Sequence, residues 1–310
     1  MPYSSLHFID EQLKINKPQI QHVIEENLIK KNVELSVLRL DEIHPVISGN
    51  KFFKLYYFLK EAKISTHKRV ITFGGAFSNH LAATAFACKQ NNIKCIGIIR
   101  GERPKELSPT LLFCQENGMQ LSFTSRELYK QKTEKLFIQE LTKNFGEHIL
   151  IPEGGFSVKG AKGAALIKRL YNGNDYTHIC LPVGTATTFA GIVSENKSQT
   201  NMIGFSVLKN MHDLDERLEE LQINVDSKIS FITEYHFGGY AKKTNELIHF
   251  INEFYSLHKI PLDFVYTGKM MFGILDLVRK NFFPKGSRLL AIHTGGLQGN
   301  TSLEKGTLIF

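Results

Sequence analysis

The sequence reads as an α/β chain with mainly parallel, open sheets and helices on both faces. Short apolar runs alternate with longer helical patterns, and several of those runs end in glycine-rich loops. Strand–helix alternation of this kind gives parallel strands joined by crossover helices. The chain has 310 residues and 42% hydrophobic content. That is enough for a sizeable core, in one large domain or two ordinary ones. No internal repeat recurs at a fixed period.

In chain order, the strand candidates are 69–73 (RVITF), 94–100 (KCIGIIR), 120–124 (QLSFT), 148–152 (HILIP), 177–182 (THICLP), 202–207 (MIGFSV) and 288–293 (RLLAIH). Helical patterns cover 79–91, 126–144, 159–171 and 241–258. Glycine-rich loops follow the strands that end near 73, 152, 182 and 292. Ligands of open α/β sheets bind beyond the carboxyl ends of the strands, and chain reversal alone needs no such cluster of glycines.

The balance of 38 basic against 30 acidic residues gives a net charge of +8. The lysines (Lys14, Lys17, Lys30, Lys31, Lys130, Lys132, Lys135) are spread along the chain. A spread excess fits attraction of small anions better than a nucleic-acid strip, so no nucleic-acid partner is expected. Cys88, Cys95, Cys114 and Cys180 form no CxxC pair and no metal-like cluster. They read as small buried residues in a reducing compartment, with no metal site. The stretch MPYSSLHFIDEQLKINKP lacks the basic-then-apolar order of a secretory signal. No apolar run approaches the roughly 20 residues of a membrane span. A cytoplasmic protein with no membrane partner is expected.

The segment SGNKFFKL (48–55) sets Gly49, Asn50 and Lys51 before an apolar helical run. Gly49 suits an unusual backbone angle, and Asn50 suits a helix cap. Lys51 could be a solvated charge, a phosphate partner or, with a lowered pKa, a covalent catalyst. In LPVGTATTFAG (181–191), Gly184 ends a strand and hydroxyl residues lead into a helix. Backbone N–H groups there, with Thr185, Thr187 and Thr188, would suit a single phosphate. The loop lacks GK[ST] and GxGxxG spacing. An ordinary turn with a threonine cap fits equally well. In TFGGAFSNH, Ser78 is a natural helix cap. Ser78, Asn79 and His80 together could hold a carboxylate. Tyr266 and Thr267 precede a glycine turn, and HTGG (293–296) ends another strand. A lysine, a monophosphate loop, a carboxylate loop and a tyrosine together are what a pyridoxal 5'-phosphate (PLP) enzyme needs.

At these residues the chain resembles the 1-aminocyclopropane-1-carboxylate (ACC) deaminase and D-cysteine desulfhydrase family, PLP enzymes of fold type II, the tryptophan synthase β-like fold. The resemblance runs from about 34 to 300, through LRLDEIHPVISGNKFFKL, TFGGAFSNH, IPEGGFSVKGAKG, VGTATTFAG, VYTGKMMFGI and HTGGLQG. It implies two domains, 1–51 plus 155–310 and 52–154, with PLP in the cleft between them. Lys51 would carry PLP covalently and move the substrate proton, with Lys54 near the phosphate. Asn79 would bond the PLP phenolic oxygen, and Ser78, Asn79 and His80 would hold the substrate carboxylate. Gly184, Thr185, Ala186, Thr187 and Thr188 would cradle the phosphate. Tyr266 would lie beside the cofactor ring, with Tyr240 as a second catalytic tyrosine. Thr267 would face the pyridine nitrogen.

Phe52-Phe53 and the apolar HLAATA run depart from the family's more polar pattern. Thr267 stands where the deaminases carry glutamate. A hydroxyl stabilises a protonated pyridine less than a carboxylate does. The reading is therefore a deaminating enzyme of a small amino acid, with D-cysteine desulfhydrase-like β-elimination ahead of ACC ring opening. A PLP or amino-acid binding protein without catalysis is the alternative from another class. Family resemblance implies a homodimer.

Overall fold

The computed structural model describes residues 16–196, 199–209 and 211–310. The readings of residues 1–15, Lys14 and most of the leader segment among them, lie outside the described residues. Hydroxyl caps start many of the helices. Ser78, Ser108, Ser125, Ser157 and Thr244 each accept a backbone N–H of the first turn through their side chains. Each such cap contributes about 1 kcal/mol. The helices are α1 (Glu26–Lys31), α2 (Asn50–Ile64), α3 (Asn79–Gln90), α4 (Pro109–Glu116), α5 (Arg126–Lys130), α6 (Lys135–Phe145), α7 (Val158–Ala165), α8 (Thr187–Ser194), α9 (Leu214–Glu220), α10 (Asn245–His258) and α11 (Thr267–Arg279). The strands are β1 (Ile20–Val23), β2 (Glu34–Arg39), β3 (Arg69–Gly74), β4 (Lys94–Arg100), β5 (Met119–Thr124), β6 (Ile149–Ile151), β7 (His178–Val183), β8 (Asn201–Ser206), β9 (Ile229–Ile232) and β10 (Arg288–His293).

All seven expected strands form. The expected 126–144 helix breaks into α5 and α6, and α7 gives way to a 3-10 turn after Ala165. The 241–258 helix begins only at Asn245, where Thr244 caps it. Strands β1, β2 and β9 are additions. β2 is buried at every residue after Glu34, so it shows no polar–apolar alternation. Asn50 was expected as a helix cap. Gly49 holds that position instead, at φ 72°, ψ −154°, and Asn50 is the first helical residue.

The strands form a six-stranded sheet, order β1-β2-β10-β7-β8-β9, and a four-stranded sheet, order β5-β4-β3-β6. Among the described residues, every pairing of these strands is parallel except β1 with β2. Side chains alternate between the two faces of each sheet, and both faces are covered. In the four-stranded sheet, Ile71, Phe73, Ile96 and Ile98 meet Tyr129 of α5 and Phe137 and Leu141 of α6. Val70, Cys95 and Ile99 face Leu81 and Leu111. In the six-stranded sheet, Leu35, Val37 and Ile203 pack with Ile251, Phe254 and Ile274, while Leu38 and Ile179 join the core that reaches the other sheet. We propose that each sheet with its helices centres one domain, 52–154 and the remainder. All four cysteines are buried and free. Among the described residues, no helix is long and apolar enough to cross a membrane.

Candidate active site

In each sheet, successive strands progress in one direction on one side of a switch point and in the other direction on the other side. The switch lies between β7 and β10 in the large sheet and between β3 and β6 in the small one. Loops leaving the two strands diverge there and open a crevice. Four loops (75–78, 153–154, 184–186 and 294–296) line one cavity of about 610 Å³. They are the four glycine-rich loops singled out in the sequence.

Lys51 and Lys54 enter this cavity from the first turn of α2. They are three residues apart and so share a helix face. Phe52 and Phe53 turn away into the core, 2% and 1% exposed. Lys51 Nζ donates to Asn50 Oδ1 at 2.8 Å, and Asn50 Nδ2 donates to Thr188 Oγ1 at 2.7 Å. Burial lowers the Lys51 amine to about 8, against a partial opposing pull from Asp263. Burial and the neighbouring Lys51 push Lys54 well below its ordinary value.

Ala186 caps α8 in the left-handed conformation, at φ 62°. A left-handed residue followed by helical ones turns successive N–H groups toward one point, which makes an anion cradle. Thr185 and Thr187 share a hydroxyl hydrogen bond of 2.9 Å, and Lys54 Nζ reaches Thr185 Oγ1 at 3.4 Å. Lys51, Lys54, Arg100 and Arg217 line the cavity, with Glu153 the one acid among its described residues. An anion is the ligand this balance favours.

Ser78 caps α3 through Leu81 N–H, and Asn79 Nδ2 donates to Gly296 O at 3.2 Å. Asn79 Oδ1 and His80 Nδ1 are buried without a partner. Thr72 Oγ1 gives its one proton to Ile151 O (2.9 Å), so it accepts from His80 Nε2 (2.8 Å). That assigns the His80 proton to Nε2 and leaves Nδ1 a bare acceptor. Burial, then the charges of Lys54 and Lys51, hold the ring well below its usual pKa, so it is neutral.

Tyr266 and Tyr240 meet edge to face with ring centroids 6.0 Å apart. Lys51 Nζ lies 5.9 Å from the Tyr266 ring centroid. Burial, then Tyr240, push the Tyr266 phenol well above its ordinary pKa, so it stays protonated. Thr267 is fully buried and does not line the cavity. Its Oγ1 donates to Asp263 Oδ2 at 2.6 Å. Thr294, in the HTGG motif, does line the cavity. Sequence reasoning assigned no role to Asp263, Arg100, Arg217 or Thr294. Only the HTGG turn gave a signal for one of them.

The sequence model of the family described as "Pyridoxal-phosphate dependent enzyme" matches residues 26–295. The chain belongs to this pyridoxal-phosphate dependent enzyme family. A Pyrococcus furiosus protein, provisionally named 1-aminocyclopropane-1-carboxylate deaminase, is 31% identical over 275 residues, covering 82% of each chain. The mitochondrial bifunctional D-cysteine desulfhydrase/1-aminocyclopropane-1-carboxylate deaminase of Arabidopsis thaliana is 29% identical over 299 residues, 87% of this chain and 74% of that one. A crystal structure of an ACC deaminase homologue aligns with TM-score 0.76 at 26% identity, covering 94% of this chain and 95% of the other. The resemblance read from the six motifs holds, as do the type II fold and PLP as cofactor.

The site fits that cofactor. The cationic wall and the α8 cradle suit a phosphate, and the orphaned Asn79 Oδ1 and His80 Nδ1 await polar partners. One pH dependence follows for PLP uptake by cofactor-free protein. Only the neutral amine attacks a carbonyl, and the neutral fraction of Lys51 rises with pH through about 8. Uptake is expected to quicken about tenfold from pH 7 to pH 9, as the free-amine fraction rises from about one tenth to about nine tenths. Stopped-flow absorbance across that range checks it. A flat profile would contradict a rate set by Lys51.

Proposed function

We propose that this enzyme deaminates a small amino acid to a 2-oxo acid and ammonia by β-elimination. D-cysteine is the favoured substrate, with sulfide as the third product. The observation that carries the reading is the single cavity joining Lys51, the phosphate cradle, the Ser78–His80 helix start and the tyrosine pair. When bound, PLP supplies an electron sink for the charge that develops at the substrate α carbon.

Lys54, Thr185, Thr187 and the N–H groups opening α8 would hold the phosphate. Lys51 would hold the cofactor covalently through Nζ and, once released, take the α proton. Its lowered pKa fits that work near neutral pH. Ser78 and the first N–H groups of α3 would hold the substrate carboxylate. His80 takes part through its backbone, because its bare Nδ1 is an acceptor and repels a carboxylate. Tyr266 would position the β substituent, and the Tyr240 hydroxyl would donate a proton to it.

One feature favours elimination over ring opening. Tyr266 is held protonated, so it is not poised as a nucleophile or base. The apolar residues behind a non-catalytic reading face the core. Phe52, Phe53 and Leu81 are each at most 2% exposed.

The test is 2-oxo acid release from D-cysteine, L-cysteine, D-serine and ACC by PLP-loaded protein. D-cysteine is expected to give the highest kcat/KM. ACC turnover without D-cysteine turnover would favour the deaminase, and silence on all four would sink both readings. A homodimer and a cytoplasmic site of action are part of the proposal; the mass from light scattering checks the first.

A further inference from the structure

The segment between β9 and α10 carries Tyr240. Its first half is packed, with Tyr235 donating to Asp276 Oδ2 at 2.7 Å and Phe237 meeting Phe272 edge to face at 5.0 Å, but the stretch that follows is exposed. Residues 240–246 are exposed, and Tyr240 itself is 53% exposed. The backbone is unusual at four positions: Phe237 (φ 50°), Gly238 (89°), Gly239 (112°) and Ala241 (53°). A chain with so little burial and so many left-handed residues has low local stability and needs an external hold.

Past Phe237, the main hold is one buried side chain. Lys269, 1% exposed on the first turn of α11, donates through Nζ to His236 O at 2.8 Å and to Gly239 O at 2.7 Å. Gly239 O also accepts from Lys242 N–H, and His236 O from Gly239 N–H. The ammonium therefore closes both ends of the turn that presents Tyr240. Tyr266, three residues before Lys269, is held independently. Asp263 accepts the N–H groups of Val265, Tyr266 and Thr267. One tyrosine of the pair is thus fixed by its own helix start, and the other hangs on a loop tied to that helix by Lys269.

We infer that Lys269 is the positioning residue for Tyr240, setting the distance between the two tyrosines without touching substrate. The inference rests on Tyr240 acting in the proposed elimination, so the test has one arm that needs no turnover. In Lys269→Met the methylene stem remains and the two carbonyls lose their common donor. Trypsin cleavage after Lys242 and Lys243 of the PLP-loaded protein, followed by mass spectrometry, is expected to quicken about tenfold while other sites keep their rates.

The second arm is a double-mutant cycle. Lys269→Met should lower kcat about tenfold with little change in KM in the parent. In a Tyr240→Phe background it should lower kcat less than about twofold, because the group it positions is already disabled. Should none of the four substrates turn over, the cycle is read on the rate at which D-cysteine changes the visible absorbance. Gly239→Ala provides a second variant. It strains the buried φ 112° residue, brings a Cβ to 3.3 Å from Lys209 Cβ, leaves Lys269 in place and should reproduce both effects. Unchanged cleavage at 242 and 243, or equal losses in the two backgrounds, would overturn the inference. Faster cleavage with silent substrates would leave the anchor standing and remove the elimination reading alone.

Discussion

Lys51→Ala is expected to remove the visible absorbance of the PLP-loaded enzyme and to lower turnover by about a thousandfold or more, the scale of losing a nucleophile and a proton carrier together. The replacement deletes the one amine that meets Asn50, Tyr266 and the cavity at once. Misfolding would not be the cause. Burial already depresses this amine to about 8, so at pH 7 the folded state carries a cost of keeping it charged. Alanine lifts that cost, so in the cofactor-free forms the variant should be about as stable as the parent. The measurement is an absorption spectrum before and after borohydride, with circular dichroism beside it. A variant that kept a borohydride-sensitive band would assign the covalent role to another lysine, with Lys54 on the same helix face the first to examine.

The parts of this site that were legible in the sequence are local. A strand must end before a ligand loop, and glycines there have few other uses, so all four cavity loops could be named from composition and position. Lys51 stood out because Gly-Asn-Lys precedes an apolar helix. Helical spacing could also have resolved Phe52 and Phe53. Residues one and two beyond Lys51 point to other faces, and Lys54 returns to its side. What stayed hidden depends on contacts between distant segments. Thr72 fixes the His80 proton only because Ile151, 79 residues on, takes the threonine's own. Lys269 reaches carbonyls 30 and 33 residues away. Thr267 was read onto the cofactor by its motif, but its hydroxyl is spent on Asp263, four residues earlier, and no pattern of polarity reveals which way a buried hydroxyl turns. β2 was missed for a related reason, since a strand covered on both faces shows no alternation.

Gly49→Ala is the substitution expected to cost the fold most. The backbone at Gly49, φ 72° and ψ −154°, lies where side chains are essentially not found. A Cβ built there would sit 2.7 Å from Gly295 Cα and closer still to the Thr294 carbonyl. That carbonyl also accepts Asn50 N–H at 3.0 Å, so the overlap falls on the bond that seats α2 against the end of β10. Either the helix start moves or the HTGG loop does, and each carries part of the site. We expect a loss of about 3 kcal/mol or more, since strain and steric overlap act on one atom. Any folded remainder should lose about a hundredfold in rate, because a displacement of Lys51 near 1 Å has that effect. Urea midpoints and the visible spectrum read the two consequences. Gly286→Ala is the control that separates them. It has positive φ (81°) but nothing within 4 Å of its built Cβ, so only backbone strain of about 1 kcal/mol applies. If Gly49→Ala behaved like Gly286→Ala, the close seating of α2 on the Thr294 carbonyl would not be what places Lys51.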